Sequence, residues 1–169
     1  MNLFAPIEHA LPIDCSAPIA PRTSIVQPYC LSHGTLECAD LDASRRFYEE
    51  FLGLEVVRHA ITAMSIRLGM RFHIVCVGVG AQIHEKHVLS HWGVDVESRA
   101  AVDAAHAAAR AHQAAYGIRK VLDVQFMHGV YSFYLQDLDM NWWEIQHYEN
   151  GFLHDDYFEF GDRFGHQAA

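Results

Sequence analysis

The sequence predicts an α+β domain made of two paired modules, each with the order strand, helix, three strands, and three observations carry that prediction. First, His33-x-x-x-Glu37 and His91-x-x-x-Asp95 repeat one spacing at an offset of 58 (91 minus 33), each within an alternating, strand-like stretch. Second, a helical run follows each stretch and stops at a glycine, Gly53 in one copy and Gly117 in the other. Third, short strand candidates follow each helix and end, in the second copy, in an aromatic hairpin. One module alone leaves a sheet face exposed, so the two are expected to pair, with their polar faces meeting around a shared cavity.

Residues 1–30 contain all five prolines and no sustained periodicity, which predicts an extended arm outside the core. The domain is expected over 31–149, with modules at about 31–80 and 88–149. Leu31 to Cys38 alternates, placing Gly34, Leu36 and Cys38 on an apolar face and His33, Thr35 and Glu37 on a polar one. Asp42 is the expected N-cap of the first helix, on which Phe47 and Phe51 share a face. Strands are expected at Leu54–His59, Ala63–Leu68 and Phe72–Val79. In the second module the strand Leu89–Val96 leads to Ser98, a cap for the alanine-rich run ending at Tyr116. Ile118–Gln125 is read as one strand, and Val130–Tyr148 as a hairpin turning through Gln136–Asn141. Of the Trp142 and Trp143 pair, one ring is expected in the core. The tail, 150–169, is too aromatic for a solvated end and is expected to pack on the domain or a partner subunit.

Hydrophobic residues make up 51% of 169, enough for a folded interior. With 12 basic against 21 acidic residues, net charge −9, and the basic ones scattered, no nucleic-acid footprint is present. No run of about 18 apolar residues can cross a bilayer, and the N-terminus lacks a basic-then-apolar signal, so a cytoplasmic protein is expected. Cys15, Cys30, Cys38 and Cys76 form no CxxC pair and suit free thiols. Thirteen histidines are unusual, although His106 and His112 fall on a helix read as solvated.

The misplaced charge is Glu144, set in the middle of an aromatic strand where a buried carboxylate needs a cation or a strong donor. A lone strand histidine is usually a satisfied polar group. His33 and His91, however, occupy matching first-strand positions, and with Glu144 they make two histidines and one carboxylate with open positions. That is the triad of non-haem iron(II), and it also suits manganese, zinc or nickel. Gly78-Val-Gly80 precedes no helix and is read as a strand end.

His33-Gly-Thr-Leu36 followed by Asp40-Leu-Asp-Ala-Ser-Arg-Arg-Phe-Tyr-Glu-Glu-Phe-Leu-Gly-Leu54 resembles the opening module of the vicinal oxygen chelate superfamily. That superfamily includes glyoxalases, bleomycin-resistance proteins, fosfomycin-resistance enzymes and extradiol dioxygenases. The resemblance covers residues 31–149. It implies paired βαβββ modules forming a cupped mixed sheet around a metal held by His33, His91 and Glu144.

Within the superfamily, glyoxalase-like isomerases add a further ligand from the last strands of the first module, but Phe72–Val79 offers no carboxylate or amide, only His73 as a substitute. The intact triad disfavours metal-free bleomycin binding. No lysine or arginine clusters near the ligands in sequence, which disfavours a phosphonate pocket. Extradiol dioxygenases place a tyrosine ten residues before the glutamate, where Tyr134 stands (144 minus 134). The turn departs from the usual Asp-Pro-Asp-Gly-Asn, with Leu138 and Met140 instead.

The expectation is therefore an Fe(II) dioxygenase cleaving a catechol-like diol with dioxygen, with Tyr134 bonding a substrate oxygen and His128 moving a proton. The alternatives are a metal-dependent isomerase or lyase, and a protein that sequesters an aromatic compound. A homodimer or higher homo-oligomer is expected.

Overall fold

The computed structural model describes residues 24–25, 31–69, 72–151 and 157–158. Most of the N-terminal arm and most of the C-terminal tail lie outside the described residues. The first module comprises β1 (His33–Cys38), α1 (Leu41–Arg46), β2 (Glu55–Ala60), β3 (Ala63–Arg67) and β4 (His73–Gly78). The second comprises β5 (His91–Asp95), α2 (Arg99–Ala111), α3 (Gln113–Tyr116), β6 (Lys120–Val121), β7 (Gln125–Met127), β8 (Val130–Gln136) and β9 (Trp142–His147).

The repeat is visible in the pairing. The first sheet has the order β1-β4-β3-β2 and the second β5-β9-β8-β6, with β7 also on β8. In each sheet the first strand runs parallel to the last, and the other pairs are antiparallel.

Local chemistry explains the ends. Asp40, not Asp42, caps α1: its Oδ1 accepts the amides of Asp42 at 2.9 Å and Ala43 at 3.2 Å. Beyond Arg46 the helix widens into a π-helical turn over Phe47–Phe51, which buries Phe47 and Tyr48. Ser98 caps α2 through the Ala101 amide, and Gly117, at φ +67°, ends α3 in the left-handed region that glycine adopts without strain. Ile118–Gln125 is not one strand. Leu122–Val124 interrupts it, and Asp123 there pairs with Arg110. His106 is not solvated either: its ring packs edge-on against Phe133, with centroids 5.0 Å apart.

The two sheets share one apolar core. Leu36, Cys38, Phe47, Tyr48, Met64 and Ile66 of the first module join Val102, Phe133, Leu135, Trp143 and Ile145 of the second. Trp143 is the core member of the tryptophan pair, at 1% exposure. Gly34 is needed where β1 approaches β5, because a β-carbon there would collide with the Trp92 ring. The hairpin turn joins the halves. Asp139 accepts the Ala39 amide and the Ser44 hydroxyl, and Asn141 Nδ2 donates to the Glu37 carbonyl. Asp137 collects the amides of Asp139 and Asn141 and the Trp143 indole. Met140 takes φ +61°, the left-handed position that glycine fills in the usual turn.

The modules join through this apolar core, to which side chains of both contribute. Burying two apolar faces against each other yields more than burying two polar ones. His33 and Thr35 of the first sheet, and Gly93 and Asp95 of the second, are exposed. Hollows lie elsewhere, one of about 250 Å³ lined by Ala43, Arg46, Ala115, Tyr116, Gly117 and Leu138. Among the described residues no helix is long and apolar enough to cross a membrane, and Cys38 and Cys76 are buried free thiols.

Candidate metal centre

The polar face of the second sheet is built in rows by strand register. Lys120, Gln136, Trp142 and His91 form one row. Tyr134, Glu144 and Gly93 form the next, then Ser132, Gln146 and Asp95. His91 and Glu144 therefore sit diagonally on neighbouring strands, and Nε2 of the imidazole lies 3.3 Å from Oε2 of the carboxylate. Gly93, beside Glu144, has nothing within 4 Å of where a β-carbon would stand, so space is open next to the pair.

Each member of the pair is oriented by further contacts. Nδ1 of His91 lies 2.7 Å from the Val88 carbonyl, a bond that requires the proton on Nδ1 and turns Nε2 toward Glu144. Oε1 of Glu144 accepts the Ser132 hydroxyl at 2.7 Å. The Tyr134 ring meets His91 edge-on at 5.0 Å. Burial raises the Tyr134 phenol well above its usual value, and its hydrogen bond to Glu144 adds to the rise. An imidazole Nε2 and a carboxylate oxygen 3.3 Å apart suit adjacent positions around one divalent ion.

His33 stands apart from that pair. It lies on the exposed polar face of β1, with Nδ1 2.8 Å from the Ser32 hydroxyl and its ring stacked on His73 at 5.7 Å. Among the described residues no three His, Cys, Asp or Glu side chains converge on one point. His128 is exposed at the β7–β8 tip with φ +54°, six residues before Tyr134 (134 minus 128), and is not brought to the pair.

Register also identifies the first module's counterpart of Glu144. Glu144 pairs with Gly93, two residues after His91; two residues after His33 stands Thr35, which pairs with Val75. An apolar valine therefore fills the fourth-ligand position, and His73 pairs with His33 one row away.

Two features were missed in the sequence. Ser132 has no motif to announce it; only the pairing of β8 with β9 brings it to Glu144. The second is Lys120, whose Nζ lies 5.8 Å from the Trp142 ring centroid and 3.5 Å from Glu85; the Lys86 ammonium is bound to Glu37, and only its backbone carbonyl meets the Trp142 indole, at 2.9 Å.

Paired strand–helix–three-strand modules define a known class of fold, and comparison places this chain in it. The family model described as Glyoxalase/Bleomycin resistance protein/Dioxygenase superfamily matches residues 31–145, and the chain belongs to that superfamily. Similar solved structures include a fosfomycin resistance protein from Listeria monocytogenes, 21% identical with TM-score 0.56, covering 75% of this chain and 96% of that one. A lactoylglutathione lyase from Agrobacterium tumefaciens is 21% identical with TM-score 0.51, covering 75% and 100%. A possible glyoxalase from Bacillus cereus is 22% identical with TM-score 0.57, covering 70% and 98%. No curated protein matches the sequence. At these identities the solved structures establish the fold.

Proposed function

We propose that the protein is an iron(II)-dependent oxygenase that cleaves the ring of a catechol-like aromatic diol, with His33, His91 and Glu144 as ligands. Manganese, zinc and nickel suit the same donors. The observation that carries this reading is Val75: an apolar side chain stands at the position matching Glu144, so the first sheet offers no second carboxylate there and leaves that position open. When bound, the ion supplies a Lewis-acidic, redox-active centre for two vicinal substrate oxygens and dioxygen. Ser132 holds one oxygen of Glu144 and so aims the other. Tyr134, whose phenol keeps its proton, donates to a substrate oxygen. Tyr134, on the strand beside Glu144, adds a flat aromatic ring next to the pair. His128 has no role in this scheme.

A homodimer belongs to the proposal. One chain presents His91 with Glu144 on one open face and His33 on another, so a second copy can lay its first sheet over the second sheet and supply the third ligand. Exposed Val57, on the first sheet's edge strand, supports burial there. Mixing His33→Ala and Glu144→Ala chains should then restore about a quarter of the parent's metal sites, as random pairing gives one intact site per mixed dimer. No recovery in a mixture shown to form mixed dimers would refute the shared site. Free buried thiols and the absence of a long apolar helix among the described residues support a cytoplasmic setting.

Oxygen uptake is the test. The iron-loaded protein should consume one dioxygen per catechol and form a coloured ring-opened product, and Tyr134→Phe should slow turnover more than it weakens metal binding. A second reading is a metal-dependent isomerase or lyase. It is favoured by Lys120 beside Trp142, which suits a substrate carrying an anionic group. Catechol binding without oxygen uptake, together with isomerisation supported by nickel or zinc, would replace the first reading with the second. Binding of an aromatic compound with neither activity would leave a sequestering protein.

A further inference from the structure

The linker between the modules is held at both ends by groups outside the ligand set. Glu37, on the polar face of β1, accepts three bonds from it. Oε2 takes the His84 amide at 3.0 Å and the Lys86 ammonium at 2.7 Å, and Oε1 lies 2.9 Å from Nδ1 of His84. These donors, Lys86 foremost, hold the Glu37 carboxyl at a pKa of about 2, so it is charged at neutral pH. On the other side, the Lys86 carbonyl accepts the Trp142 indole at 2.9 Å. Just beyond, the linker closes a turn, with the Ser90 amide donating to the His87 carbonyl at 2.8 Å. Val88 lies inside that turn, and its carbonyl is the group at 2.7 Å from Nδ1 of His91.

We infer that Glu37 and Lys86 are positioning residues for His91: they clamp the linker so that the Val88 carbonyl fixes the imidazole tautomer that leaves Nε2 free to ligate. The inference rests on His91 being a metal ligand, as proposed above. Its physical basis is that a carbonyl fixes a tautomer only if the carbonyl itself is fixed. Residues 83–90 contain no helix or strand to do that. The clamp also crosses the repeat. Glu37 shares β1 with His33, so one ion pair ties the strand bearing one ligand to the segment orienting another. The repeat-related carboxylate Asp95 performs no such task; it accepts Gln146 within its own sheet.

Nitrogen-15 NMR of the imidazoles in metal-free protein, with zinc affinity measured by competition against a chromophoric chelator, tests this. The parent should show His91 protonated on Nδ1. Glu37→Gln and Lys86→Met should each give a tautomer mixture and a zinc affinity lower by about 10- to 100-fold, the usual cost of losing an outer-shell partner. Lys86→Arg should rescue both readouts, and Glu85→Gln, in the same linker but outside the clamp, should change neither. An unchanged tautomer in both Glu37→Gln and Lys86→Met, or an unchanged zinc affinity in both, would overturn the inference. A parent that binds no zinc would instead refute His91 as a ligand, and the tautomer comparison would still decide whether the clamp exists.

Discussion

The polar faces of the two sheets have the same strand order and register but different chemistry. In the second, the row beside the ligand histidine reads Gly93, Glu144, Tyr134; in the first it reads Thr35, Val75, Ser65. Glycine leaves space, glutamate supplies charge and tyrosine a donor, whereas the matching row of the first sheet offers no charged group, and His33 lies one row away stacked on His73. Under the proposed function, the duplicated fold places a site on one copy and keeps the other as scaffold plus a single ligand. The core faces differ as well: one residue before Glu144 stands Trp143, and one before Val75 stands Ile74.

The largest expected effect concerns that core difference. Trp143→Ala should cost about 3–5 kcal/mol in urea unfolding, because it removes a buried ring and one of the donors to the buried Asp137. Next, Val75→Glu makes the first sheet resemble the second. It should raise zinc affinity by about tenfold or more while suppressing oxygen uptake in the iron form, since a fourth ligand fills an open position. An affinity and an uptake both equal to the parent's would show that Val75 does not face the ion.

Much of this comparison was legible in the chain. The repeated His-x-x-x-acid spacing, the glycine stops and the aromatic hairpin around Glu144 all lie within local windows, where period and turn chemistry are readable. Which faces of the modules meet was not, because alternation shows that a strand has two faces without showing what covers either. The Asp40 cap was displaced by two residues because Asp40 and Asp42 are the same residue type at adjacent plausible positions. Ser132, Lys86 and Lys120 reach the site only through strand pairing and a linker, with no local pattern to mark them.

Smaller effects sharpen the contrast. Ser132→Ala should weaken metal binding by about tenfold, whereas Ser65→Ala, at the first sheet's counterpart of Tyr134, should leave it unchanged. Smaller still is a pH effect. Burial pushes Asp137 up to about 7 against the Trp143 and amide donors. The folded state then holds its proton more tightly than the unfolded one, so this group's contribution to stability is present below the ordinary aspartate value and lost as pH rises toward 7. Glu37, lowered to about 2, acts oppositely: its contribution is present above the ordinary glutamate value and lost as pH falls toward 2. Urea midpoints from pH 4 to 8 should decline less in Asp137→Asn than in the parent.

Metal stoichiometry tests the central claim most directly. After anaerobic loading with iron(II) and removal of free ion, the parent should retain one ion per chain, while folded His33→Ala, His91→Ala and Glu144→Ala should each retain none. Retention equal to the parent's in all three variants would contradict the site.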